Sequence, residues 1–361
     1  MENKNKSKSS KINLSQLVLL GLGSLIGSGW LFGAWEASSI AGPAAIISWI
    51  IGFIVIGTIA YNYIEIGTMF PQSGGMSNYA QYTHGSLLGF IAAWANWVSL
   101  VTIIPIEAVS AVQYMSSWPW EWAKPMGALM KDGSISTIGL FAVYVIIAIF
   151  SLLNYWSVKL LTSFTSLISV FKLGVPLLTI IMLMISGFDT NNYGHSASAF
   201  MPYGSAPIFA ATTTSGIIFS FNAFQTIINM GSEIKNPEKN IARGIAISLT
   251  LSAILYIVLQ STFITSMPSS MIHEHGWNGI NFNSPFADMA ILLGINWLAI
   301  LLYVEAVVSP FGTGVSFVAV TGRVLRAMEK NGHIPKFLGK MNEQYNICLL
   351  YTSDAADDSL R

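Results

Sequence analysis

Charge is what this sequence has least of. Asp, Glu, Lys and Arg make up only 9% of its 361 residues, against about 25% in a soluble domain. A soluble chain of this length would form two or three domains, each with a charged surface. The scarcity of charge argues instead for a single bundle of membrane-spanning helices. Formal net charge is zero, so nothing draws the chain as a whole toward nucleic acid. Cysteine is almost absent: Cys348 stands alone, which excludes an internal disulfide and a metal cluster resting on thiolates. The five histidines, His84, His195, His273, His275 and His333, have no paired metal-ligand spacing within an apolar segment, so no metal site is expected. No Ser–His–acid arrangement is evident, and the glycine-rich stretch 21–29 lacks the lysine and the preceding strand of a phosphate-binding loop. An enzyme is therefore the weakest reading, and no cofactor is implied. A cleavable leader is not expected either. Residues 1–11 are polar and basic, and the apolar run after them is too long for a signal peptide.

What the chain has is apolar length. Hydrophobic residues make up 53% of it, and a membrane span needs about 20 in succession. Eight segments qualify: 14–39, 43–70, 87–115, 135–154, 160–187, 206–230, 241–265 and 295–326. The expected fold class is an all-α membrane protein, with a basic tail over 1–13, a transmembrane domain over 14–330 and an amphipathic segment over 331–347. Between the spans, 72–85 reads as a polar loop, and 284–293 as an amphipathic helix capping one mouth of the bundle.

Orientation follows from the basic residues of the connections. Thirteen fall on the side of the N-terminus: Lys4, Lys6, Lys8, Lys11, Lys159, Lys235, Lys239, Arg243, Arg323, Arg326, Lys330, Lys336 and Lys340. Lys124 and Lys131 are the two on the other side. The N-terminus is therefore expected in the cytoplasm, with the lipid bilayer as the main partner. Trp118, Trp120, Trp122, Trp277 and Trp297 then form an interfacial belt at the outer face.

The first span is poor helix. It reads Gly21-Leu22-Gly23-Ser24-Leu25-Ile26-Gly27-Ser28-Gly29-Trp30, and each glycine costs about 1 kcal/mol against alanine in a helix interior. Unwound backbone in a membrane is tolerated only inside protein or beside a cavity. The half-helix that restarts after such a break points its positive end at the gap, which suits a carboxylate. Close packing through Gly23 and Gly27 is the competing explanation. The sixth span is also interrupted by polarity, with Ser220, Asn222 and Gln225 among aromatic residues. Interruptions in spans one and six, five apart, point to an inverted-repeat transporter; a polar seam between packed helices is the alternative.

The chain resembles the amino acid–polyamine–organocation (APC) superfamily of permeases over about residues 12–347. Gly27-Ser28-Gly29 is similar to its first-helix motif, Ser73-Gly74-Gly75 with Tyr79 to its motif after span two, and Glu233-Ile234-Lys235-Asn236-Pro237-Glu238 to its motif after span six. Within the superfamily it looks most like bacterial aspartate–proton symporters, through 154–159, 275–277 and 293–299. The resemblance implies a leucine-transporter-type inverted-repeat fold, of which the chain would hold eight of the usual twelve helices. It implies that Ser24, Leu25, Gly27, Ser28 and Gly29 hold a substrate carboxylate. It also implies that Phe219, Ser220 and Asn222 receive the amino group, with Phe219 as a possible gate. One departure stands out: Ala223, Phe224 and Gln225 occupy the place where many relatives carry glycine, an aromatic residue and an acid. Residues 348–361 match nothing in the superfamily and read as a non-family tail, the expectation being an assembly artefact on a truncated chain.

Charges inside spans cost at least about 2.5–3.5 kcal/mol and so call for a function or a partner. Lys172 lies about 18 Å from the cytoplasmic edge at 1.5 Å per residue, too deep to reach water easily. Pro176 frees the Lys172 carbonyl. In relatives a lysine here stands where others bind sodium. Burial penalises the charged form of such a group, which makes Lys172 a candidate for the coupled proton. Glu305 in span eight is a candidate partner for Lys172. Glu107 in span three reads as a second proton site or a packed structural acid, and Glu65 as structural. The function expected is proton-coupled import of a small amino acid, aspartate among the candidates, by alternating access across the bacterial cytoplasmic membrane. An exchanger, or a sensor that binds without flux, is the alternative.

Overall fold

A computed structural model describes residues 11–131, 133–156, 158–339, 341–342 and 347–348. The expected tail over 348–361, apart from Cys348, and most of the basic tail lie outside these, as do the side chains of 154–159. The chain is helical nearly throughout.

The first expected span is two helices, α1 (Leu14–Leu25) and α2 (Trp30–Ala41). A capping box starts α1: Asn13 Oδ1 accepts from the Gln16 amide at 2.9 Å, and Gln16 Oε1 from the Asn13 amide at 3.1 Å. After a turn at Gly42-Pro43, α3 (Ala45–Met69) runs back. The next two helices are α4 (Met76–Val101) and α5 (Ile103–Ser116). Here the structure departs from the sequence reading. The second half of the expected loop 72–85 is already helix, because Met76, Ser77, Asn78 and Tyr79 turn inward and are buried. The helix then kinks at Gly85. The third span breaks again at Thr102, where Pro105 has no N–H to offer the Val101 carbonyl.

A short hairpin pairs Met130–Lys131 with Ser134–Ile135 before α6 (Thr137–Trp156) and α7 (Val158–Gly187). Then α8 (Ala197–Phe200) lies outside the bundle. The sixth span is α9 (Ala206–Thr214), α10 (Ile217–Phe221) and α11 (Gln225–Asn229). Its break is at Ser215–Gly216, one turn before the polar residues that flagged it, and Gly216 takes φ +77°. Last come α12 (Pro237–Ser266), α13 (Ser269–Gly279), α14 (Pro285–Leu292) and α15 (Asn296–Lys330). The expected amphipathic cap is α14. It is held tightly, with Phe286 fully buried 5.4 Å from Trp30.

Among the described residues, four helical stretches are long and apolar enough to cross a membrane: Trp30–Met69, Met76–Ser116, Pro237–Ser266 and Asn296–Lys330. Four shorter apolar helices accompany them. Two long helices organise the packing. α12 lies against α1, α3 and α7, and α15 against α4, α5, α6 and α7. Isoleucine, leucine, phenylalanine and tryptophan facing lipid, such as Ile54, Phe141, Ile185 and Phe209, stay exposed, as expected where the surroundings are hydrocarbon.

The end of the bundle rich in Lys and Arg is closed by direct bonds. Ile12 adds to the Glu233–Lys235 segment through Ile12 N–H to Glu233 O and Lys235 N–H to Ile12 O, both 2.9 Å. The Gly74 amide donates to Asn229 O at 2.8 Å, and Arg323 Nε to Glu233 Oε1 at 2.8 Å.

Candidate functional site

The two broken helices face each other. A Cβ built on Gly29 would lie 3.6 Å from Ser220 Oγ, and a cavity of about 190 Å³ opens between the breaks. Its wall holds Ser24, Leu25, Gly27, Ser28 and Gly29 from the first break and Phe219 and Ser220 from the second. Seven of the eight residues expected to hold substrate are therefore brought together. Asn222 is the exception. Its Nδ2 donates to Ser99 Oγ at 3.0 Å and its Oδ1 accepts from Gln225 Nε2 at 2.6 Å, so its amide ties α10 to α4 and does not line the cavity.

The first break exposes backbone at both ends, and the neighbouring helices take up three of the exposed groups. In a continuous helix the Gly23 carbonyl would accept from the Gly27 amide. Here Gly27 N–H turns to Leu25 O at 3.1 Å, and Gly23 O accepts from Lys172 Nζ at 2.5 Å. A cation at a helix C-terminus also matches the negative end of the dipole. Tyr256 of α12 donates to Leu25 O at 2.6 Å. On the other side of the gap the Ser28 amide, just ahead of α2, donates to both oxygens of Glu107, at 3.1 and 3.3 Å. The positive end of α2 thus already holds a carboxylate, and that carboxylate belongs to the protein. Gly27 makes room for it: a Cβ there would run into Glu107 Oε1. Ser24 Oγ is buried without a hydrogen-bond partner.

Lys172 lies just behind this wall. It is 2% exposed, and its ammonium also donates to Thr313 Oγ1 at 2.5 Å. Thr313 lines the cavity, so one hydroxyl separates the lysine from it. Glu107 and Glu305 are the carboxylates whose fields act on that ammonium. The Lys172–Glu305 pairing expected from sequence is not a direct ion pair. Among the described residues the ion pairs are Lys124–Glu121, His275–Glu274 and Arg323–Glu233. Glu305 is fully buried beside Ser309.

Sequence reasoning missed polar residues on this wall, among them Glu36, Ser110, Gln113, Ser215, Tyr256 and Thr313. Ser110 and Gln113 follow Glu107 at three-residue steps along α5, a spacing that would have signalled a shared flank. Glu36 is an acid inside an apolar run, the same signal that singled out Glu107. Tyr256 had no such mark, since a tyrosine in an apolar helix is usually packing. No group of His, Cys, Asp or Glu able to hold a metal occurs among the described residues.

The sequence profile of the amino acid permease family matches residues 12–351. The chain is 52% identical over 331 residues to the glutamate/serine transporter AimA of Bacillus subtilis, covering 92% of this chain and 61% of that protein. It is 36% identical over 336 residues to the aspartate-proton symporter of the same organism, covering 92% and 62%. It is 26% identical over 349 residues to the methylthioribose transporter of that organism, covering 95% and 72%. The chain thus spans about three fifths of the length of the first two relatives. With a profile matched over nearly its whole length, apolar helices long enough to cross a membrane and a cavity built at two helix breaks, this multi-pass membrane protein belongs to the amino acid permease family.

Proposed function

We propose that the chain carries the substrate and proton sites of a secondary transporter that imports a small amino acid with protons by alternating access. The observation that carries this reading is the carboxylate of Glu107 seated on the Ser28 amide, at the positive end of α2 and on the wall of the cavity. An incoming amino acid needs the same amide for its own carboxylate. When it binds, Glu107 has to leave, and a buried carboxylate without a donor favours the protonated form. Taking a proton onto a Glu107 oxygen frees the Ser28 N–H for substrate. Binding of the amino acid and of the proton then become one event. Lys172 holds the end of α1 through Gly23 O, so a proton lost from its ammonium releases that end of the broken helix. Glu305 supplies the buried counter-charge on the far side of the lysine.

The two breaks, in the first and sixth apolar segments, support an inverted-repeat fold of the leucine-transporter type, with eight of its helices in this chain. Amino-acid and proton transport in the names of two relatives support the same cargo and coupling ion. The excess of Lys and Arg at one end supports an N-terminus in the cytoplasm of a bacterial cell. The bonded seal at that end and the cavity beyond it fit a state open toward the outside.

The test is uptake of a labelled amino-acid panel into proteoliposomes under an imposed pH gradient. The wild type should accumulate a small amino acid when the lumen is alkaline. Glu107→Gln and Lys172→Ala should each lose gradient-driven accumulation, and Glu305→Gln should weaken it. Undiminished, still gradient-driven uptake in all three variants would refute the coupling scheme.

A further inference from the structure

We infer that the cavity selects amino acids whose side chain is neutral and donates a hydrogen bond, a hydroxyl or a carboxamide, over dicarboxylates, and that Glu36 and Gln113 make the choice. This rests on the amino-acid reading of the cavity given above and narrows it to a substrate class.

Glu36 and Glu107 bring two carboxylates to the cavity wall, and among the described residues no lysine, arginine or histidine side chain lines it. The nearest cation, Lys172, stands behind Thr313 with its ammonium engaged by Gly23 O and Thr313 Oγ1. The carboxylate and ammonium of any amino acid are served at the breaks and at Glu107, so selection falls to the remainder of the wall. Besides Ser215, Tyr256 and Thr313, whose hydroxyls are already engaged by Ala211 O, Leu25 O and Lys172, the polar residues there are Ser110 and Gln113 on α5, and Glu36 on α2.

Each of the three leaves acceptors free. The Ser110 hydroxyl donates to Ile106 O at 3.0 Å, which leaves its lone pairs for a ligand. Among the described residues no hydrogen bond engages the Gln113 side-chain amide, which offers both an acceptor and donors. Gln113 is two three-residue steps beyond Glu107, about 9 Å along the helix. An ionised Glu36 accepts only. A hydroxyl or carboxamide can give its hydrogen to such a wall. An ionised side-chain carboxylate has none to give, and it adds a negative charge beside Glu36, with no lysine or arginine on the described wall to offset it. Discrimination against a ligand that leaves buried polar groups unpaired is large, whereas discrimination by size alone is small.

The experiment is competition for bound radiolabelled serine on the full chain in detergent at neutral pH, with unlabelled serine, asparagine, glutamate, aspartate and lysine. Serine and asparagine should compete at least about tenfold better than glutamate or aspartate, the equivalent of about 1.4 kcal/mol. Gln113→Lys should narrow or reverse the serine-to-glutamate ratio by about tenfold, and Glu36→Gln should narrow it without an added cation. Two variants of opposite chemistry guard against one that fails to fold. Glutamate, aspartate or lysine competing as well as serine, or a ratio unmoved in both variants, overturns the inference while leaving the permease reading standing. If none of the five amino acids binds, both fall together.

Discussion

Glu107 is the residue on which the site turns. Sequence alone left it as either a proton site or a packed structural acid, since its position in an apolar segment allows both. The structure joins it to the Ser28 amide, a residue 79 positions earlier. No spacing rule reaches that far. Gly27 gives a sharp test of the join. Its missing side chain is the space that Glu107 occupies, so Gly27→Ala pushes the carboxylate off the Ser28 amide without touching either group. The side chain's end is flexible, so the fold should survive. Uptake should lose most of its dependence on the pH gradient, and the melting temperature should change by no more than a few degrees. Unaltered pH dependence in a folded variant would separate Glu107 from coupling. Asn222 teaches the opposite lesson. Its polarity in an apolar helix marked it correctly as unusual, but the amide serves Ser99 and Gln225.

The helix breaks are the elements that make a cavity possible. The first was legible in the sequence because four glycines and two serines fall within ten residues. The second was legible as a region but not as a place. Ser220 and Asn222 drew attention, whereas the backbone departs at Gly216, a glycine with positive φ. Nothing lies within 4 Å of a Cβ placed on Gly216. Gly216→Ala should therefore report the backbone penalty alone, about 1–2 kcal/mol for an L-residue in the left-handed region. Thermal unfolding in detergent checks it, and an unchanged melting temperature would mean that the break does not need this conformation. The kink at Gly85 and the break at Thr102 were not legible. Pro105 was the available signal for the second, but proline is common enough in membrane helices that it did not fix a boundary.

The seal at the basic end also belongs to this scale. Arg323 and Glu233 are partly exposed, with side chains 19% and 37% accessible, so their pair is worth at most about 1 kcal/mol. Its role is to bias a conformational equilibrium. Glu233→Gln should shift the population toward opening at that end. A Ser24→Cys probe in the cavity should then react about two- to fivefold faster with a membrane-impermeant maleimide applied from the basic side, the range that follows from such a pair. Equal rates with and without Glu233→Gln would show that the Ile12 and Gly74 bonds close that end unaided.

At the scale of the whole molecule, apolar length and the distribution of basic residues were enough to read a multi-pass helical membrane protein. They could do so because lipid forces every backbone group to find a partner within its own helix, and that demand is written directly in composition. The relation between helices was not written there. Which helix faces which is settled by contacts between residues far apart in the chain, as where Lys172 meets Gly23 and Thr313 or Trp49 meets Gln260 at 2.9 Å. The site was therefore read well where it is made of local backbone irregularity. It was read poorly along α5, where Ser110 and Gln113 matter only because α2 stands opposite.

The account claims that amino acid and proton bind together in one cavity. The most direct test is a pH-sensitive dye enclosed in proteoliposomes carrying the protein, with no gradient imposed. Adding serine outside should acidify the lumen, the acidification should vanish with a protonophore, and it should be absent with Glu107→Gln. Serine that enters without moving protons, or that enters only when amino acid is already present inside, would contradict it.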